Sequence, residues 1–230
     1  MTPFLLITAG GTSEPIDPVR ILTNRASGNT GLTLAWDAHN RGWNVELLLA
    51  RGLFPESNFP FPTQRFESVT ELGKLMESTI TQRKPCGVIH SAAVSDYVLD
   101  YVNRAESKES AIPISCQHKI PGHLNSLTVV LKPAPRLLAK IRTDWRFKGY
   151  LASFKLETDP IRLLATAEES LCRNGCNLVV ANTWEGHQNS AWLVFNKAEN
   201  PENPSPMQIP RNELSKRILD HFQSQLPRAF

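Results

Sequence analysis

Two hydrophobic periods alternate along this chain. Phe4–Thr8 is a short, largely apolar run that ends in Ala9-Gly10-Gly11-Thr12, the pattern of a strand buried on both faces of a parallel sheet. Leu32, Leu34, Ala35 and Ala38 then mark one face of a helix over Leu32–Asn40, opened by Ser27-Gly28-Asn29-Thr30-Gly31 and ended by Arg41-Gly42. Val45–Ala50 is the next buried strand, so the first fifty residues spell a βαβ unit with a long loop after its first strand. The alternation continues. A proline-bearing loop over Leu53–Thr63 leads to a helix over Val69–Arg83 and a strand over Cys86–His90. Residues 100–118 lack apolar periodicity and read as a flap or arm. Strands are then expected at Leu127–Leu131, Tyr150–Phe154, Leu178–Ala181 and Trp192–Phe195, with helices at Pro135–Asp144 and Pro160–Arg173. A loop with four prolines, Asn196–Pro210, precedes a closing helix over Arg211–Gln225. No internal repeat is present. Strands alternating with helices predict an α/β domain over residues 1–230, Rossmann-like, with a mostly parallel sheet flanked by helices.

Composition narrows the partners. The 25 Lys and Arg against 22 Asp and Glu give a net charge of +3 over 230 residues, with no basic cluster of the kind nucleic-acid binding needs. The opening apolar run is five residues long with no basic residue before it, which argues against a signal peptide, and no run is long enough to span a membrane. The four cysteines form no CxxC pair. Cys172 and Cys176 stand four apart without a nearby His or third Cys, so reduced thiols in a cytoplasmic protein are the expectation and a metal site is not.

In an open parallel sheet, ligands bind beyond the carboxyl ends of the strands, where strand order reverses. Small residues follow the strands here: Gly10-Gly11 after the first and Ser91-Ala92-Ala93 after the third. They let backbone groups approach a phosphate, although Gly10-Gly11 also suits a plain tight turn. A nicotinamide dinucleotide is disfavoured. No GxGxxG follows the first strand, some sixteen residues separate Gly11 from the helix opening, and the second strand ends in Ala50-Arg51 rather than in an acid. That arginine keeps NADP open. The intervening loop, stiffened by Pro15 and Pro18, delivers Arg20, Asn24 and Ser27 just before a helix start, where they can either cradle an anion or cap the helix.

The blocks Ile7-Thr8-Ala9-Gly10-Gly11-Thr12-Ser13-Glu14-Pro15-Ile16-Asp17-Pro18-Val19-Arg20 and Asn24-Arg25-Ala26-Ser27-Gly28 closely resemble the opening of phosphopantothenate–cysteine ligases, enzymes of coenzyme A biosynthesis. The similarity continues in order through Ala92-Ala93-Val94-Ser95-Asp96-Tyr97, His118-Lys119-Ile120, Ser153-Phe154-Lys155-Leu156-Glu157-Thr158-Asp159 and Val179-Val180-Ala181-Asn182. It implies a stand-alone ligase that joins 4′-phosphopantothenate to L-cysteine through an acyl-nucleotide, using CTP or ATP with Mg2+. It also implies a homodimer formed through an arm near residues 97–127. By the same resemblance, Asn24 holds the reacting carboxyl and the acyl intermediate. Arg20, Ser27 and Gly28 help bind phosphopantothenate, and Lys119 holds the triphosphate. Gly10, Gly11, Ser91, Ala92, Asp96 and Phe154 line the nucleotide, though Asp96 also suits a loop cap and Phe154 a core aromatic. The alternatives are a non-catalytic scaffold of the same fold and an NADP-dependent oxidoreductase.

The chain departs from the family pattern in three places. Lys119-Ile120-Pro121-Gly122 stands for a lysine-rich run, and Lys132-Pro133-Ala134-Pro135-Arg136 for Lys-Asn-Pro-Asp. In Ser170-Leu171-Cys172-Arg173-Asn174-Gly175 the usual lysines are gone, which leaves Arg173 as the candidate nucleotide-binding cation of that region. The choice between CTP and ATP stays open.

Overall fold

Buried strands without charge, such as Phe4–Ala9, can only be satisfied inside a sheet covered on both faces, and that is where they lie. The computed structural model describes residues 2–54, 58–107, 110–196 and 206–226, with backbone alone over 105–107 and 110–114. In chain order the elements are β1 (Phe4–Ala9), β2 (Ser13–Pro15), β3 (Ile21–Thr23), α1 (Asn29–Asn40), β4 (Asn44–Ala50), β5 (Thr63–Phe66), α2 (Val69–Ser78), β6 (Gly87–His90), β7 (Tyr97–Ser107) and β8 (Ser110–Ile114). There follow β9 (Leu127–Pro133), α3 (Leu137–Thr143), β10 (Tyr150–Glu157), α4 (Leu163–Asn174), β11 (Leu178–Thr183), β12 (Ser190–Phe195), β13 (Met207–Pro210) and α5 (Leu214–Gln225).

Eight strands form the main sheet in the order β13-β12-β11-β10-β6-β1-β4-β5. The six from β11 to β5 run parallel, and β12 and β13 add an antiparallel edge. One face buries Leu5, Ile7, Ile89, Ala152 and Val180 under α1 and α5, while the other buries Leu6, Leu48, Val88, Leu151 and Val179 under α2, α3 and α4. From β1 the chain adds β4 and β5 on one side, then crosses back to add β6, β10 and β11 on the other. The order therefore reverses between β1 and β6, and the crevice at their carboxyl ends is the expected ligand position.

The expected α/β class holds, and the deviations have physical causes. The helix expected to reach Arg83 ends at Ser78 and finishes in a wider π-type turn, Thr79–Arg83, where Arg83 pairs with the fully buried Glu46. The edge strands β5 and β13, read as loop, bury one residue each (Phe66 and Ile209) and so leave no period to detect. Residues 55–57 of the first proline loop and 197–205 of the second lie outside the described residues. The stretch over 100–118 is no irregular flap at first: β7, β8 and β9 build a separate antiparallel sheet in the order β8-β7-β9. No residue of β9 is buried, and a strand without a buried face carries no apolar alternation.

Candidate active site

The long loop after β1 is a hairpin. Strands β2 and β3 pair antiparallel, turn at Asp17–Arg20, and return the chain to α1. Gly10 leaves β1 at a φ of 90°, and Gly11 forms an isolated parallel bridge to Ala93, with the Thr12 amide on the Ala93 carbonyl at 3.1 Å and the Ala93 amide on the Gly10 carbonyl at 2.8 Å. A Cβ on Gly11 would stand 2.8 Å from the Asn24 carbonyl, so glycine lets the returning hairpin close onto β1. Asn24 lands over this bridge, its Nδ2 donating to the Val94 carbonyl at 3.3 Å.

The start of α1 is packed against the same point. A Cβ on Gly31 would meet Ala9 Cβ at 2.6 Å, Ser91 Oγ at 2.7 Å and the Thr8 carbonyl at 2.8 Å. Gly28 is the cap residue, at a φ of 75°, and brings no side chain. Ser27 Oγ accepts from the Asn29 amide at 3.4 Å, so one first-turn amide is taken, and the amides of Thr30 and Gly31 have no side-chain acceptor among the described residues and leave an anion-binding end.

Thr8 organises the opposite wall. Its hydroxyl pairs with His90 Nδ1 at 2.9 Å and accepts from the Ala92 amide at 3.1 Å, while the Ser91 hydroxyl donates to its carbonyl at 2.6 Å. The Ala92 amide and the Ser91 hydroxyl are thus committed within the protein, and these residues offer a close surface rather than free donors. Burial lowers the His90 imidazole to about 4, so it stays neutral. Phe154, midway along β10, is half-buried against the core on the α1 side. Asp96 is exposed, and only its carbonyl is engaged, by the Ala134 amide at 2.9 Å.

One residue that the sequence offered only as the close of a motif block, with no role, joins this edge. Asn182, at the carboxyl end of β11 and 8% exposed, has an Oδ1 without a hydrogen-bond partner among the described residues. A buried acceptor left unpaired costs roughly 1–3 kcal/mol, which marks a position for a ligand donor. The Val-Val-Ala-Asn block was the available signal.

Three expected residues sit elsewhere. Arg20 is at the hairpin turn, four residues from Asn24, about 13 Å along an extended strand at ~3.3 Å per residue. Its guanidinium is engaged by Asp17 and by the Ile120 carbonyl. Lys119 is exposed and adjoins that contact as the residue before Ile120. Arg173 is a correction. It occupies the last turn of α4, paired with Glu169, and a helix leaving the carboxyl end of β10 carries its own C-terminus about 18 Å away, to the far edge of the sheet.

Burial pushes the Asp17 carboxyl up, but the amides of Ile120, Val19 and Arg20 and the Arg20 guanidinium outweigh it and hold it at about 2, ionised at any working pH. Among the described residues no three His, Cys, Asp or Glu side chains converge to hold a metal ion, and no helix is long and apolar enough to cross a membrane. Cys176 is buried, which raises its thiol to about 11 and leaves it unreactive.

A mostly parallel α/β sheet with glycines at its strand ends and a helix start packed against the switch point defines a Rossmann-like fold. Residues 3–225 match the family described as DNA/pantothenate metabolism flavoprotein C-terminal domain, and the chain belongs to that family. It is 29% identical over 227 residues to the coenzyme A biosynthesis bifunctional protein CoaBC of Thermococcus kodakarensis, covering 96% of this chain and 51% of that protein. It therefore spans about half the length of that relative. It is 28% identical over 265 residues to the human phosphopantothenate–cysteine ligase, covering 96% and 85% of the two chains. Among solved structures, the DNA/pantothenate metabolism flavoprotein of Streptococcus pneumoniae superposes with a TM-score of 0.79 at 22% identity, covering 98% of this chain and all of that one. A Cab2 variant in complex with phosphopantothenate-cysteine superposes with a TM-score of 0.74 at 21% identity, covering 97% and 86%. These likenesses establish the fold.

Proposed function

We propose that this chain is a phosphopantothenate–cysteine ligase. The carboxylate of 4′-phosphopantothenate attacks the α-phosphorus of a nucleoside triphosphate and expels pyrophosphate. The amine of L-cysteine then attacks the acyl carbon, loses a proton, and expels the nucleoside monophosphate, which leaves an amide. The observation that carries this reading is Asn24, fixed by Val94 over the Gly11–Ala93 bridge and next to a helix start whose cap residue, Gly28, brings no side chain. An oriented amide beside an anion-binding end suits a carboxylate meeting a phosphate. Such a reaction needs positioning and charge neutralisation more than a protein nucleophile.

In this reading Gly10, Gly11, Ser91, Ala92 and Phe154 shape the nucleotide site, Asp96 faces it, and Asn182 accepts a hydrogen bond from it. Ser27 and Gly28 present the helix start to phosphopantothenate. Arg20 retains Nε and one Nη2 hydrogen for a substrate phosphate beyond its bonds to Asp17 and Ile120. Magnesium enters as the magnesium–nucleotide complex, since the described residues build no site of their own for it. The arm supports a homodimer: Tyr97, Tyr101, Leu127, Val129 and Leu131 are each a third to a half exposed on one small sheet, more apolar surface than a lone protrusion favours. The proposed location is the cytoplasm.

Pyrophosphate release tests the reading. The purified protein with magnesium and 4′-phosphopantothenate should release pyrophosphate from ATP or from CTP, and release should require phosphopantothenate. The nucleotide that works assigns the base. Silence with both would point to a non-catalytic member of the family.

A further inference from the structure

Between β8 and β9, residues 115–126 contain no helix or strand, and the exposed Lys119 lies in the middle of them. What fixes this segment is its neighbour. The Ile120 side chain is 1% exposed. Its amide donates to Asp17 Oδ2 at 3.0 Å, and its carbonyl accepts from both terminal nitrogens of Arg20, each at 3.2 Å. Asp17 itself is 3% exposed. Its Oδ1 accepts from the Val19 and Arg20 amides, each at 2.8 Å, and its Oδ2 also receives the Arg20 guanidinium.

The bonds to Val19 and Arg20 are those of an ordinary aspartate turn. The grip on Ile120 is not part of that turn. It spans about a hundred residues of sequence and takes hold of both backbone polar groups of one residue. Asp17 pairs with Arg20 and accepts from Ile120, and Arg20 reaches back to Ile120, so each of the three partners is bonded to the other two.

We propose that the Asp17–Arg20 pair is the anchor that positions Lys119, with Asp17 acting on nucleotide binding only through that lysine. This rests on the reading of Lys119 as the residue that holds the triphosphate. A lysine on an irregular segment has backbone and side-chain freedom to lose when it meets a phosphate, and an anchor one residue away removes part of that loss beforehand.

The Lys119–Ile120 bond reports on the anchor directly, because trypsin cleaves after lysine and the amide it must expose is the one Asp17 holds. Asp17→Asn keeps the shape of the side chain and removes its charge. Loss of charge-assisted hydrogen bonds should raise the rate of nicking at this bond, followed as the 1–119 fragment by mass spectrometry, by about tenfold to a hundredfold. Arg20→Lys, which cannot fork between Asp17 and the Ile120 carbonyl, should raise it too and serves if Asp17→Asn does not fold. Equal nicking rates in wild type and variant overturn the anchor, whether or not the protein releases pyrophosphate. The second arm tests the link to Lys119. The dissociation constant for a non-hydrolysable nucleotide should rise about tenfold in Asp17→Asn, but should not rise further when Asp17→Asn is added to Lys119→Gln. A rise that persists in the Lys119→Gln background shows Asp17 acting by another route and overturns the proposal.

Discussion

Replacing Asn24 by alanine is expected to stall the cysteine half-reaction about a hundredfold to a thousandfold, the range seen when an oriented donor at a developing charge is removed. The Asn24 amide has two N–H groups. One is spent on the Val94 carbonyl, which sets the plane of the side chain, and the second N–H and Oδ1 are left for the ligand. Such a group touches the carboxyl carbon's oxygens in both steps, but only in the second does that carbon become tetrahedral and place new charge on oxygen. Pyrophosphate should therefore still appear in a first turnover, while the acyl-nucleotide accumulates and is detected by mass spectrometry after a rapid quench. An equal fall in both half-reactions would remove the specific role given to Asn24.

Lys119→Gln is expected to cut pyrophosphate release by about the same factor while leaving the thermal unfolding midpoint unchanged. Lys119 is exposed and makes no packing contribution that glutamine would forfeit, whereas the triphosphate it is proposed to meet carries several negative charges. The loss should appear in the first half-reaction, with an acyl-nucleotide supplied from outside converted normally by cysteine. Near-normal pyrophosphate release by the variant would mean that the charge comes from another cation, and Lys155, near the end of β10, is the candidate in reach of the same edge.

The βαβ opening was legible because Phe4–Ala9 and Asn44–Ala50 are buried on both faces and α1 buries one stripe, Leu34, Ala35 and Ala38. What escaped are elements whose residues face water or an edge: β5, β13 and the β7–β8 part of the arm, whereas β9 was expected over Leu127–Leu131. For the site, small residues at strand ends were visible in the sequence, but the hydrogen bonds among them were not. Nothing in Thr8 announces that its hydroxyl takes the Ala92 amide, and nothing in Arg20 announces that Asp17 and Ile120 share it. Arg173 was misplaced because a motif read along the chain ignores which end of a helix faces the crevice. Asn182 was visible as a motif letter, and only its burial with an unpartnered Oδ1 shows that it has something to bind.

The acyl-nucleotide is the central claim, and oxygen transfer tests it most directly. With 4′-phosphopantothenate carrying ¹⁸O in its carboxylate, one labelled oxygen must leave with the nucleotide, because the oxygen that attacks the α-phosphorus stays on it when cysteine takes the acyl group. With both carboxylate oxygens labelled, the account predicts a nucleoside monophosphate bearing one ¹⁸O, an amide product that keeps the other ¹⁸O in its carbonyl, and unlabelled pyrophosphate. Label in inorganic phosphate, with a nucleoside diphosphate as co-product, would contradict it and put activation at the γ-phosphorus.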